Sequence, residues 1–60
     1  MKTKYVYELI KGDVIDLGNG VVGRITNIYD NTSKPDYKII LFSDGFITEY
    51  LKEDKVEILN

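Results

Sequence analysis

The dipeptide Asp44-Gly45, set between two apolar segments, constrains the fold of this chain more than any other feature of its sequence. The segment before it is YKIILFS, residues 37–43, and the segment after it is FITEYL, residues 46–51. Asp-Gly readily adopts the left-handed dihedrals of a two-residue type I′ turn, whose twist matches that of paired antiparallel strands. The sequence therefore predicts a β-hairpin that turns at Asp44-Gly45.

Strands are also predicted outside this hairpin, because turn-forming residues recur about every 8 to 12 residues, as in all-β barrels and sandwiches. The additional strands are predicted at residues 14–17, 21–30 and 55–59. The connections are predicted as a tight glycine turn at 18–20, a polar loop at 30–36 and one 3₁₀ turn at 52–54. Residues 4–10 form either an extended edge segment or a first short strand.

The size of the chain limits how it can be stabilised. Sixty residues make a single domain, and a domain of this size buries only about 60% of the surface that its unfolded chain exposes. The sequence contains neither Cys nor His, which excludes disulfides and thiolate or imidazole zinc sites. Apolar packing must therefore stabilise the fold, with or without help from a second copy of the chain.

The five predicted strands, with the 3₁₀ turn before the last one, resemble an SH3-like barrel, and in particular the small KOW and Tudor-type barrels. Four groups of residues carry the resemblance: Gly12-Asp13-Val14; Gly20-Val21-Val22-Gly23 with Ile25; Ile40, Phe42 and Asp44-Gly45; and Tyr50-Leu51, Glu53-Asp54 and Val56. The resemblance implies an all-β, five-stranded barrel that forms a single domain over residues 1–60. It implies no single function, because this fold hosts many unrelated activities.

The segment YKIILF is apolar on both faces, although side chains alternate between faces along a strand. If Phe42 points inward, Ile40 does too, and Ile39 and Leu41 point outward. The opposite register buries Ile39 and Leu41 and exposes Ile40 and Phe42. In either register a large apolar pair lies outside the barrel, where it is covered by residues 5–9 or is free to contact a partner.

The best-supported function is that of a non-enzymatic protein-binding module. An apolar patch of Ile39, Leu41, Phe46 and Tyr50 would bind another protein or a second copy of the chain, and surrounding charges would set the choice of partner. The net charge is −2. The acidic residues are concentrated after residue 43, and this negatively charged part of the chain would suit a basic groove on a partner. In size and composition the chain also resembles small acidic phage proteins that disable host enzymes.

Nucleic-acid binding is the alternative function, and it is the one implied by the likeness to KOW barrels. Arg24, Lys34 and Lys38 could neutralise phosphates beside Tyr29 and Tyr37, on which bases could stack. The negative net charge disfavours this alternative, because phosphate neutralisation dominates nucleic-acid affinity.

Several other functions have weaker support. Catalytic and phosphate-binding motifs are absent, and the carboxylates of Asp13, Asp16, Glu53 and Asp54 are expected to be solvated turn residues. The loop 30–36 lacks the ligand spacing of an EF-hand. We therefore expect no enzymatic activity, no cofactor and no metal.

The Tudor-type resemblance raises one further alternative, a cage for methylated amines built from Tyr29, Phe46 and Tyr50.

The location is predicted as cytoplasmic, or as the host cytoplasm if the gene is viral. This prediction rests on the N-terminal segment, which lacks a signal-peptide pattern, and on the absence of an apolar run of about 20 residues that would indicate a membrane span.

Overall fold

The computed structural model describes residues 2–18 and 20–60, which form one antiparallel sheet of six strands. The strands are β1 Lys2–Tyr5, β2 Val14–Gly18, β3 Val21–Asp30, β4 Tyr37–Phe42, β5 Ile47–Leu51 and β6 Lys55–Ile58. Their order across the sheet is β1-β6-β2-β3-β4-β5. A short 3₁₀ helix, Val6–Glu8, follows β1. Asn19, inside the turn predicted at 18–20, lies outside the described residues.

The all-β class is confirmed, but the predicted five-stranded barrel differs from the structure in its number of strands. The additional strand is β1, which pairs with β6 from Lys2 opposite Ile58 to Tyr5 opposite Lys55. In the described part of the chain the sheet does not close on itself, because β1 and β5 each have one neighbouring strand.

The prediction of a 3₁₀ turn at residues 52–54 is wrong in its position. After β5 the chain makes one turn, in which the Asp54 N–H donates to the Leu51 carbonyl over 3.0 Å, and Lys55 then enters β6. The 3₁₀ helix lies instead at Val6–Glu8, where the Leu9 N–H donates to the Val6 carbonyl over 3.1 Å. This helix also hydrogen-bonds to the β5–β6 connection, because the Val6 N–H donates to Asp54.

The β4–β5 hairpin is confirmed, but its connection has three residues, 43–45, rather than two. The Gly45 N–H donates to the Phe42 carbonyl, and the Phe42 N–H donates to the Phe46 carbonyl, each over 2.9 Å. Gly45 has φ 89°, as expected for the last residue of a three-residue hairpin loop. The Asp44 Oδ1 accepts the Phe46 N–H over 2.9 Å and so stabilises the turn.

The hydrophobic core lies on one side of the sheet and decides the register question for β4. Ile40 and Phe42 are fully buried, so Phe42 points inward, and Ile39 and Leu41 point outward. The core is formed by Val6, Leu9, Ile15, Ile25, Ile40, Phe42, Val56 and Ile58. Because Val6 and Leu9 belong to this core, residues 5–9 pack on the inner side and do not cover the outer face of β4.

Asp13 has a structural role that the sequence did not predict. It was expected to be solvated, but it is 7% exposed. Its Oδ2 accepts hydrogen bonds from the Lys4 Nζ and from the Ile10 N–H, each over 3.1 Å. These bonds join β1 to the turn that precedes β2, and they satisfy a carboxylate that would be costly to bury alone.

Candidate functional site

An open groove separates the β2–β3 turn from the β4–β5 hairpin and has a volume of about 420 Å³. Its lining is mostly apolar or aromatic and consists of Leu17, Gly18, Val21, Asp44, Phe46, Thr48 and Tyr50. This volume lies within the range of about 300–1,000 Å³ that is usual for ligand pockets. The groove is therefore large enough to hold one or two side chains of a partner.

Two aromatic residues, one just before β5 and one within it, form one wall of the groove. Phe46 is 52% exposed, and its ring stacks on the buried ring of Phe42 with centroids 6.0 Å apart and planes at 26°. Tyr50 is partly buried against the core, and burial, followed by the negative charge of Asp54, raises the pKa of its hydroxyl. Both rings are thus held by the fold while part of each faces the groove.

The predicted apolar patch of Ile39, Leu41, Phe46 and Tyr50 divides between the two faces of the sheet. Residues directly opposite each other in an antiparallel pair share a face. Ile39 pairs with Glu49 and Leu41 pairs with Ile47 on the outer face. Lys38 pairs with Tyr50 on the inner face, so Phe46 and Tyr50 line the groove while Ile39 and Leu41 do not.

The length of the hairpin connection explains this division. A two-residue turn at Asp44-Gly45 would place Ile39 opposite Tyr50, with both on one face. The three-residue connection shifts the pairing by one residue, and a one-residue shift moves every side chain of a strand to the other face. Sequence analysis also missed Leu17 and Val21, the opposite wall of the groove, because only the sheet topology brings the β2–β3 turn beside β5.

The outer face of β3, β4 and β5 carries a second group of apolar side chains. Ile47 is 61% exposed, Tyr29 and Leu51 are also exposed, and Ile39 and Leu41 are half-buried. The pairing of β4 with both neighbours places these side chains on the same face. The exposed edge of this face is β5.

The basic residues predicted for nucleic-acid binding do not form one surface. The Lys38 Nζ lies 2.7 Å from the Asp30 Oδ1, and this hydrogen bond, together with the positive charge, lowers the pKa of Asp30. Lys38 is therefore already neutralised. Arg24 lies on β3 about 20 Å of strand away from Asp30, from a rise of about 3.3 Å per residue.

The aromatic residues of that alternative are also separated from its basic groups. The Lys34 Nζ lies 5.5 Å from the centre of the Tyr37 ring, so these two residues do meet. Tyr29 pairs with Ile39 on the outer face, whereas Lys38 lies on the inner face. Tyr29 is likewise on the opposite face of the sheet from the groove, and so it does not complete a cage with Phe46 and Tyr50.

Asp16 and the polar loop make local hydrogen bonds, whereas Glu53 and Asp54 are exposed, as expected. The Asp16 Oδ1 accepts the Gly18 N–H over 2.7 Å, and the Asn31 Oδ1 accepts the N–H groups of Ser33 and Lys34 over 3.0 and 3.1 Å. Within residues 2–18 and 20–60, no three His, Cys, Asp or Glu side chains form a group that could hold a metal ion. In the same part of the chain, no helix has the length and apolar character needed to cross a membrane.

The chain matches no protein-family model, no curated protein and no solved structure. Its function is therefore inferred from the chemistry of its own surfaces.

Proposed function

We propose that this protein is a non-enzymatic protein-binding module, and that its groove holds an apolar side chain of the partner. The observation that carries this proposal is the position of Phe46, whose ring is half exposed yet fixed. The ring stacks on Phe42, and its backbone N–H is bound by the Asp44 carboxylate. A fixed aromatic anchor loses little conformational entropy on binding, which is a property of interface hot spots.

The expected contribution of Phe46 follows from its exposed area. Aromatic side chains bury about 150–250 Å² when fully covered, and roughly half of the Phe46 side chain is exposed. Covering that half would stabilise a complex by about 2 kcal/mol at about 25 cal/mol per Å² of apolar surface. One residue of this size would dominate a small interface.

Other features fit the same proposal. We propose that the six-stranded sheet curves into an SH3-like arrangement. Its support is the antiparallel strand order, together with the irregularities in register between Asp16 and Gly18 and between Ile25 and Asn27, since bulges increase the local twist of a sheet. The partner would then be a cytoplasmic protein, and a host protein if the gene is viral.

Selection from a random peptide library displayed on phage tests the groove. Peptides that bind the wild-type protein should bind Phe46→Ser at least about tenfold more weakly, because about 2 kcal/mol of apolar burial is lost. The matched control is Tyr29→Ser, which removes an equally exposed aromatic ring from the outer face and should leave binding unchanged. Equal affinity of Phe46→Ser and wild type for every selected peptide would contradict the proposal.

A third variant, Arg24→Ala, distinguishes protein binding from nucleic-acid binding. Fluorescent single-stranded oligonucleotides should not bind at physiological salt. Binding that weakens steeply with salt and is lost in Arg24→Ala would support the nucleic-acid alternative and contradict our proposal.

A further inference from the structure

We propose that the open edge of β5 binds an extended segment of a partner protein as an added antiparallel strand, in which a basic residue lies between two apolar residues at alternate positions. This surface is separate from the groove, and the inference goes beyond the proposed function. It rests on the backbone of β5, on the side chains of its outer face and on the charge at its C-terminal end.

The backbone of β5 has hydrogen-bonding groups free for another strand. The Phe42 N–H donates to the Phe46 carbonyl over 2.9 Å, and the Lys52 N–H donates to the Asp36 carbonyl over 2.8 Å. Hydrogen-bonded and non-hydrogen-bonded pairs alternate along an antiparallel ladder. The N–H and C=O groups of Ile47 and Glu49 therefore point away from β4, toward the side on which no described strand lies.

The two edges of the sheet are protected to different degrees. Edge strands often carry lysines, prolines or bulges that prevent further pairing. The β1 edge carries Lys2 and Lys4 in a strand of four residues. The β5 edge has neither lysine nor proline, its pairing with β4 is regular, and Ile47 and Leu51 are exposed. Of these two edges, β5 is therefore the one that can pair with a further strand.

The outer face of β5 defines the sequence of the added strand. Ile47, Glu49 and Leu51 alternate on this face, and the Asn31 Nδ2 donates to the Glu49 Oε2 and so orients the carboxylate. Directly opposite residues interact most strongly between antiparallel strands. Apolar residues therefore fit opposite Ile47 and Leu51, and Lys or Arg fits opposite Glu49.

The charge at the end of β5 favours the same partner. A depression of about 520 Å³ lies at this end of β5, and its lining consists of Leu51, Asp36, Lys52, Glu53 and Asp54. These residues place three carboxylates near one ammonium group. A strand that continues past Leu51 would therefore meet a negative surface that favours another basic residue.

A second copy of the chain fits this edge less well. A two-fold pairing of β5 strands that matches Ile47 with Leu51 places Glu49 directly opposite the Glu49 of the other copy, and like charges in that position destabilise a sheet. Shifting the register to separate the two carboxylates places Glu49 opposite Ile47 or Leu51 and loses the apolar match. Charge complementarity thus favours a basic segment of a different protein.

A charge-swap titration with synthetic peptides tests the inference. The probes are capped nonapeptides with Val-Thr-Lys-Thr-Val at the centre, and a second set has Glu in place of Lys. In ¹H–¹⁵N NMR titrations of the labelled protein, the Lys peptide should shift the Ile47 and Glu49 amides and slow their hydrogen exchange. It should bind at least about fivefold more tightly than the Glu peptide, from the size of exposed charge pairs.

Three protein variants and two N-methylated peptides test the inference further. Glu49→Lys should reverse the preference in favour of the Glu peptide, whereas Glu57→Lys on β6 changes the net charge equally and should keep the wild-type preference. Phe46→Ser should bind the Lys peptide as wild type does, which separates this edge from the groove. N-methylation of the peptide nitrogens that face β5 should abolish binding, whereas methylation of the alternate nitrogens should not.

Several results would overturn the inference. These are no binding at millimolar peptide, shifts confined to the groove, or equal affinities for the Lys and Glu peptides. A dimer of the wild-type protein in sedimentation equilibrium, with slowed exchange at Ile47 and Glu49 in the absence of peptide, would assign the edge to a second copy instead.

Discussion

The ring of Phe42 occupies the space that a side chain at position 23 would fill. A Cβ atom on Gly23 would lie 2.6 Å from the Cδ1 of Phe42 and 3.2 Å from the Cδ1 of Leu17. Gly23 pairs regularly with Ile15, and no irregularity of register lies at this position. A glycine inside a strand is explained here by close packing and not by a bulge.

Gly23→Ala should therefore destabilise the protein by about 1–3 kcal/mol, the usual cost of overpacking a core. Chemical denaturation with urea measures this loss. The cost should fall when Phe42→Leu is also present, because the smaller side chain leaves room for the new methyl group. An equal cost in both backgrounds would show that the Phe42 ring is not the obstacle.

Gly45→Val should destabilise the protein because Gly45 has φ 89°, which a β-branched residue resists. Apart from Gly45 and its two chain neighbours, no residue has a heavy atom within 4 Å of a Cβ at this position, so backbone strain is the main cost. The expected loss is about 1–2 kcal/mol, or a fall in Tm of several degrees in thermal unfolding. Gly45→Asn is the matched variant and should cost less, since asparagine tolerates this conformation. Equal losses would contradict the strain explanation.

Asp13→Ala should destabilise the protein by about 2–4 kcal/mol, because it leaves the Ile10 N–H and the Lys4 ammonium without their buried acceptor. Asp30→Ala is the control, since it removes an exposed carboxylate that also pairs with a lysine. Thermal unfolding should show a large fall in Tm for the first variant and little change for the second. Comparable falls would mean that burial does not distinguish the two ion pairs.

The pKa of Tyr50 predicts a loss of stability in alkaline solution. Burial and the charge of Asp54 raise this pKa above its usual value near 10, so the folded protein favours the neutral hydroxyl. The contribution of this neutral hydroxyl to stability is complete below the pKa of tyrosine in the unfolded chain, and it is lost as the pH rises through the raised pKa of the folded state. Tyr50→Phe should therefore show a smaller fall in Tm above about pH 10. If Tm falls as much in Tyr50→Phe as in the wild-type protein over this alkaline range, the prediction is wrong.

The sequence was sufficient for the features that depend on local chemistry. Asp44-Gly45 predicted the hairpin. The alternation of side chains around Phe42 left two possible registers for β4, one with Phe42 buried and one with it exposed. The strand β1 was harder to predict, because Lys2 and Lys4 lie opposite the buried Ile58 and Val56. A polar strand at the edge of a core has no apolar alternation, although the stems of lysines can cover apolar neighbours.

The candidate site could be predicted only in part, because the length of the hairpin connection could not be read from the sequence. Phe46 and Tyr50 were identified, but their face depends on whether the hairpin connection has two residues or three. Asp-Gly is compatible with both lengths, and a single residue reverses the face of β5. Packing of Phe42 and Phe46 on the core side accompanies the three-residue form, and this contact joins residues on either side of the connection, which a pattern within one segment does not reveal.

The register of the β4–β5 hairpin is the central claim, because the groove, the outer face and the free edge of β5 all depend on it. Nuclear Overhauser effects between Hα atoms test it most directly, since these atoms approach closely in non-hydrogen-bonded antiparallel pairs. The structure predicts strong Hα–Hα effects between Ile39 and Glu49 and between Leu41 and Ile47. Effects that join Ile40 to Glu49 and Phe42 to Ile47 instead, which are the non-hydrogen-bonded pairs of a two-residue hairpin, would establish the two-residue turn and contradict the account.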